Sequence, residues 1–177
     1  MADAAAFRQV KKIIDSDPER KFVVVSAPGK RFSDDVKVTD LLYRCYAELV
    51  ATGACKENFS AVRKRFSKIA EELNLSLDVA ALLDNTEKDI IAKKSSEFTA
   101  SRGEYLCAVL MADYLGYEFV DAKDVIRFDS HGKLNEEYTN DKVHTRLSNC
   151  KNAVIPGFYG RSYGGGIKTF SRGGSDI

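Results

Sequence analysis

The densest chemistry lies near the end of the chain, where Arg172-Gly173-Gly174-Ser175-Asp176 follow one another. An arginine can clamp a carboxylate or phosphate through two parallel hydrogen bonds, and Gly173 and Gly174 let the backbone approach a ligand closely. Ser175-Asp176 supplies acceptors of the kind that open a helix, so the competing reading is a flexible glycine-rich turn before a helix cap. A second candidate is Ser101-Arg102-Gly103-Glu104, which reads as the start of an apolar helix. There Glu104 either complements the helix dipole or pairs with a cationic group such as an ammonium. The third is the loop Ser26-Ala27-Pro28-Gly29-Lys30-Arg31, with Thr39 behind it. It either turns hydroxyls and helix N–H groups toward one crevice or is a polar connection ending in an N-cap threonine.

Other motifs carry less. Gly164-Gly165-Gly166-Ile167-Lys168-Thr169 approaches a phosphate-binding loop, but that motif needs Gly-Lys-Ser/Thr contiguous and Ile167 intervenes. His131 and His144 have no metal-type spacing to each other or to a cysteine, and both read as surface residues. The four cysteines, Cys45, Cys55, Cys107 and Cys150, are scattered without a C-x-x-C pair and read as reduced thiols. No metal site is expected.

The elements that must position these residues alternate in type. Phe7, Val10, Ile13 and Ile14 recur at helical spacing behind Asp3 and stop at a turn ending in Pro18. Phe22 to Ser26 is a β-branched run that predicts a strand buried on both faces and leading into the Ala27-Pro28-Gly29 loop. Thr39 is the expected cap of a helix ending at Gly53. Two amphipathic helices follow, one on Val62, Phe66, Ile69 and Leu73 and one from Val79 to Ile91 with a break near Asn85. A helix from Glu104 to Leu115, strands at 118–121 and 126–128, an Asn140-Asp141 turn, a helix to about Asn149 and the strand Ala153–Pro156 complete the pattern. Helix–strand alternation of this kind implies an α/β domain with a mainly parallel sheet.

Composition bounds what such a domain can do. At 44% hydrophobic and 30% charged, the chain is that of an ordinary globular domain. Lys plus Arg (27) balances Asp plus Glu (26), so there is no basic field to hold nucleic acid by counterion release. No apolar run reaches the roughly 18 residues of a membrane span, and the start lacks a signal peptide's apolar centre. A cytoplasmic protein without nucleic-acid or membrane partners is expected.

Together these segments resemble the aspartate kinases of the amino-acid kinase family, which make aspartyl phosphate from L-aspartate and ATP. The resemblance rests on Phe22-Val23-Val24-Val25-Ser26-Ala27-Pro28-Gly29 with Lys37-Val38-Thr39-Asp40-Leu41-Leu42, and on Ser101-Arg102-Gly103-Glu104. It extends to Ile155-Pro156-Gly157-Phe158-Tyr159-Gly160 and Arg172-Gly173-Gly174-Ser175-Asp176. It implies a three-layer αβα sandwich like that of carbamate kinase, incomplete here, with residues 1–177 forming part of one catalytic domain. It also implies that Thr39, Glu104, Arg172 and Ser175 contact aspartate, with Gly173 and Gly174 in the same block. Ser26 would line the pocket, Phe158 would lie beside it, and Asp176 would organise phosphoryl transfer.

ATP and Mg²⁺ would be required by the complete enzyme, which is expected to be a homo-oligomer at the head of lysine, threonine and methionine synthesis. The family's opening Lys-Phe-Gly-Gly-Ser-Ser block, its nucleotide-binding half and its regulatory ACT domains have no counterpart in these residues. The chain alone is therefore expected to be inactive. The alternatives are another kinase of the same fold, against which the joint presence of the three blocks argues, and a non-catalytic binding module.

Overall fold

The computed structural model describes residues 1–171. Arg172, Gly173, Gly174, Ser175 and Asp176 lie outside the described residues.

The first helix, α1 (Ala4–Asp15), starts where Asp3 accepts a hydrogen bond from the Ala6 N–H. Strand β1 (Phe22–Val25) then enters a parallel sheet in the order β1-β3-β2, where β2 is Glu118–Phe119 and β3 is Ala153–Pro156. The register pairs Val25 with Pro156 and Phe119 with Val154. The central strand β3 is buried throughout, as its apolar run requires. Strand β1 is not: Phe22 and Val24 are 45% and 68% exposed. β1 is an edge strand, and only the Val23 and Val25 side is covered, so the expected burial on both faces is corrected to one.

Helices lie on both faces of the sheet. On one side, the core gathers Val25 and Val154 with α2 (Val38–Thr52), α3 (Lys56–Leu73), α4 (Val79–Lys93) and α5 (Ser96–Leu115). On the other, Ala153 and Ile155 pack with Val125 of the short α6 (Ala122–Val125) and with Val143 and Leu147 of α7 (Glu136–Leu147). The alternation of β3 side chains between the two clusters is the two-residue period of a strand.

Several boundaries differ from the sequence reading. Helix α2 begins two residues earlier, with Lys37 at the cap position and no side-chain cap, so Thr39 sits in the first turn. α4 runs unbroken through Asn85. α5 is capped by Ser95 and starts well before Glu104, placing that carboxylate in mid-helix and removing the dipole explanation for it. Residues 126–128 form only isolated bridges, Arg127 with Arg161 and Phe128 with Leu134. Asn140-Asp141 lies inside α7, whose cap is Asn135. The glycine-rich end forms an antiparallel hairpin of β4 (Tyr159–Arg161) and β5 (Ile167–Thr169). Its turn contains Gly165 at φ +90°, a conformation that favours glycine.

Candidate functional site at the strand ends

Ligands in open α/β sheets bind beyond the carboxyl ends of the strands, and the chain assembles its candidate site there. β1 and β3 end side by side, and the Gly157 N–H donates to the Val25 carbonyl at 2.9 Å. A side chain at 157 would lie 3.2 Å from that same oxygen. The loop segments carrying Ser26 and Phe158 therefore leave adjacent strands from neighbouring positions. Phe158 itself adopts φ 72°, in the left-handed region that a bulky residue rarely occupies. Its carbonyl accepts from the Phe170 N–H at 2.8 Å, which ties it to the end of the β4–β5 hairpin.

Helix α5 supplies the third wall. Gly103 faces Ala27, Val38 and Leu42 so closely that a Cβ there would meet the Ala27 Cβ at 2.8 Å. Glycine is required because the helix backbone presses on the loop after β1. Glu104, the next residue, is 5% exposed, and its Oε2 is buried without a hydrogen-bond partner among the described residues. Burial pushes its carboxyl up to about 7, against the opposing pull of the Ala27 backbone amide, its own amide and the Arg102 charge. A half-satisfied buried carboxylate is costly unless a cationic partner completes it.

The fourth wall is the start of α2. The Val38 N–H donates to the Pro28 carbonyl at 3.1 Å. With no side chain capping this helix, its first-turn N–H groups beside Thr39 form an arrangement suited to an anion. The segments bearing Ser26, Thr39, Glu104 and Phe158 thus meet at one end of the sheet.

An ion network holds the loop between β1 and α2. Arg65 of α3 is 4% exposed and donates to Asp35 at 2.7 Å and to the Gly29 carbonyl at 3.0 Å. Arg31 pairs with both oxygens of the same Asp35 at 2.7 and 2.8 Å. These Arg31 hydrogen bonds, with the Arg65 charge behind them, hold the Asp35 carboxyl well below the usual range. The sequence reading missed this clamp, although a signal existed. Arg65 falls on the apolar stripe of α3, three residues after Val62 and four before Ile69, where a cation needs a buried partner.

His131 and His144 are exposed, and the four cysteines are free. The Gly164–Thr169 segment spans the hairpin turn and β5. Among the described residues, no group of three or more His, Cys, Asp or Glu is placed to hold a metal ion, and no helix is long and apolar enough to cross a membrane.

A parallel sheet with helices on both faces and loops gathered at its strand ends defines an α/β domain. No protein-family model matches the chain. It is 38% identical to aspartokinase 3 of Bacillus subtilis over its full length, which spans 42% of that protein. The aspartate kinase of Clostridium acetobutylicum superposes with a TM-score of 0.96 at 46% identity, covering 99% of this chain and 41% of its own. Escherichia coli aspartokinase III, solved with aspartate and ADP, shares the fold at 22% identity and a TM-score of 0.77, over 99% of this chain and 42% of its own. The chain is a homologue of the aspartate kinases along its whole length and spans about two-fifths of theirs.

Proposed function

We propose that this chain forms the amino-acid-binding part of an aspartate kinase catalytic domain, whose reaction transfers the γ-phosphoryl group of ATP to the β-carboxylate of L-aspartate. The observation that carries this reading is Glu104: a buried carboxylate with an oxygen unpartnered among the described residues, beside a helix start without a side-chain cap at the strand ends. An amino acid with two carboxylates needs one fixed anion for its ammonium and cationic or N–H donors for its carboxylates. Glu104 supplies the first. The α2 N-terminus with Thr39, together with Arg172 and Ser175, supplies the second.

In this reading Ser26 and Phe158 border the acceptor, while Gly173 and Gly174 let the backbone close on it. Asp176 would organise the phosphoryl-transfer centre. Phosphoryl transfer depends mainly on positioning and charge neutralisation. Mg²⁺, entering with the ATP phosphates, would supply part of that neutralisation. A buried Glu104 does its work by ionising as the ammonium arrives, which fixes the acceptor's orientation before any nucleotide chemistry. The likeness to aspartate kinases at 38% and 46% identity supports this acceptor over that of another amino-acid kinase.

The test has two parts. Calorimetry of aspartate against this chain should show binding that Glu104→Gln weakens about a hundredfold, the loss expected when one partner of a buried charge pair is removed. A coupled ADP-release assay with aspartate and Mg-ATP should then show turnover by a version extended at both ends to the relatives' length and little by this chain. Aspartate binding that is indifferent to Glu104→Gln would sink the reading.

A further inference from the structure

A second cleft lies next to the first site, past the carboxyl end of β2, between α4, α5 and the β4–β5 hairpin. Its volume is about 680 Å³, within the range that holds a small organic ligand. None of Ser26, Thr39, Glu104 or Phe158 lines it. Four cationic side chains reach it, Lys93, Arg102, Lys123 and Arg161, against two carboxylates, Asp89 and Asp121.

These charges are not equally engaged. Lys123 is paired with Asp121 at 2.6 Å and Arg161 with Asp124 at 3.0 Å. Asp121 also accepts from the buried Tyr159 hydroxyl at 2.8 Å. Arg102 and Lys93 have no carboxylate partner among the described residues, and Asp89, one turn before Lys93, makes no ion pair with it.

Arg102 is 6% exposed, so it has lost most of its water without gaining an anion. Its Nε and Nη2 share the Ser101 hydroxyl at 3.2 and 2.9 Å. The guanidinium is stacked over Phe98 at 4.3 Å and Tyr105 at 4.5 Å. Aromatic faces hold a guanidinium plane in place but leave its remaining N–H edge free to bond. The Lys93 ammonium lies 5.1 Å from the same Phe98 ring. One ring therefore positions two uncompensated cations in the same cleft, beside Ser95 at the start of α5, where the helix dipole adds positive potential.

We propose that this cleft binds a small molecule carrying an oxyanion, carboxylate or phosphate, on an apolar body. Arg102 and Lys93 receive the oxyanion, and Leu82, Phe98 and Ile167 contact the body. The assignment is independent of the aspartate kinase reading, because it uses no residue of the strand-end site.

The experiment is a two-dimensional NMR titration of this chain with phenyl phosphate, phenylacetate, inorganic phosphate and benzyl alcohol. Phenyl phosphate or phenylacetate should bind more tightly than about 1 mM, with shifts centred on Lys93, Ser95 and Phe98, and whichever binds better identifies the oxyanion. Inorganic phosphate and benzyl alcohol, each lacking one half of the ligand, should bind more weakly. Lys93→Glu, an exposed helix-end change that leaves the core intact, should weaken binding about tenfold by placing repulsion at the cleft rim. Arg102→Lys, which keeps the charge but loses the planar fork, should weaken it further, and Glu104→Gln should leave it unchanged. Failure of both aromatic anions to bind, binding indifferent to Lys93→Glu, or shifts confined to residues 26–29 would each overturn the proposal.

Discussion

The Cα of Gly103 lies so near Ala27 that a side chain on it would sit 2.8 Å from the Ala27 Cβ, with the Leu42 and Val38 side chains at 3.3 and 3.4 Å. This contact sets how far α5 stands from the loop after β1, and so where Glu104 is presented. Gly103→Ala should push the helix from the loop and cost about 1–3 kcal/mol, the usual range for overpacking. Urea unfolding measures the loss, and aspartate affinity should fall with it. An unchanged midpoint would mean that the loop yields freely.

Glu104 makes stability depend on pH in a specified direction. Its carboxyl titrates at about 7 when folded and near the ordinary 4.5 when unfolded. Between those values the native state holds a proton that the unfolded state has lost, so stability falls as pH rises from 4.5 to 7 and stays lower above. Glu104→Gln should abolish that slope and stabilise the chain at pH 8 by on the order of 2–3 kcal/mol. Denaturant melts at pH 5 and pH 8 measure both effects.

The same carboxyl should report ligand binding. An ammonium placed against Glu104 favours its charged form, so aspartate binding near pH 6.5 should release a proton from the protein. Calorimetry in buffers of differing ionisation enthalpy reads that release directly. Equal apparent enthalpies across the buffers would show that Glu104 does not face the ammonium.

Removing Arg65 should loosen the loop that joins Ser26 to Thr39. Arg65→Ala strands the buried Asp35 with only Arg31, and breaking a buried pair in this way costs about 3–5 kcal/mol. Hydrogen exchange should rise most across residues 29–38. Asp35 contributes its stability above the ordinary carboxyl range and loses it only in strong acid, so this effect should be constant from pH 5 to 8.

Strand β1 leaves Val24 68% exposed on an apolar edge that can pair with another chain. Val24→Lys should leave the unfolding midpoint nearly unchanged and reduce self-association in sedimentation velocity. A large loss of stability would mean that this face is covered.

The sequence by itself determined the elements whose signals are local. Asp3 caps α1 because its carboxylate meets an N–H three residues on, and β3 is buried because Ala153 to Pro156 offers nothing polar to water. Local pattern also placed Ser26 and Phe158 just beyond the ends of the right strands, and Glu104 on the right helix but not at its start. Tertiary structure alone decided the rest. That β1 is covered on one face depends on which helices pack across the sheet. The start of α5 was misjudged because Gly103 lowers local helix propensity, while its packing against Ala27 gives that glycine a reason to be there. The Arg65–Asp35 clamp and the Arg102–Phe98 stack join residues on different elements or successive turns. Their energy comes from burial and charge compensation, which exist only once the chain has closed on itself.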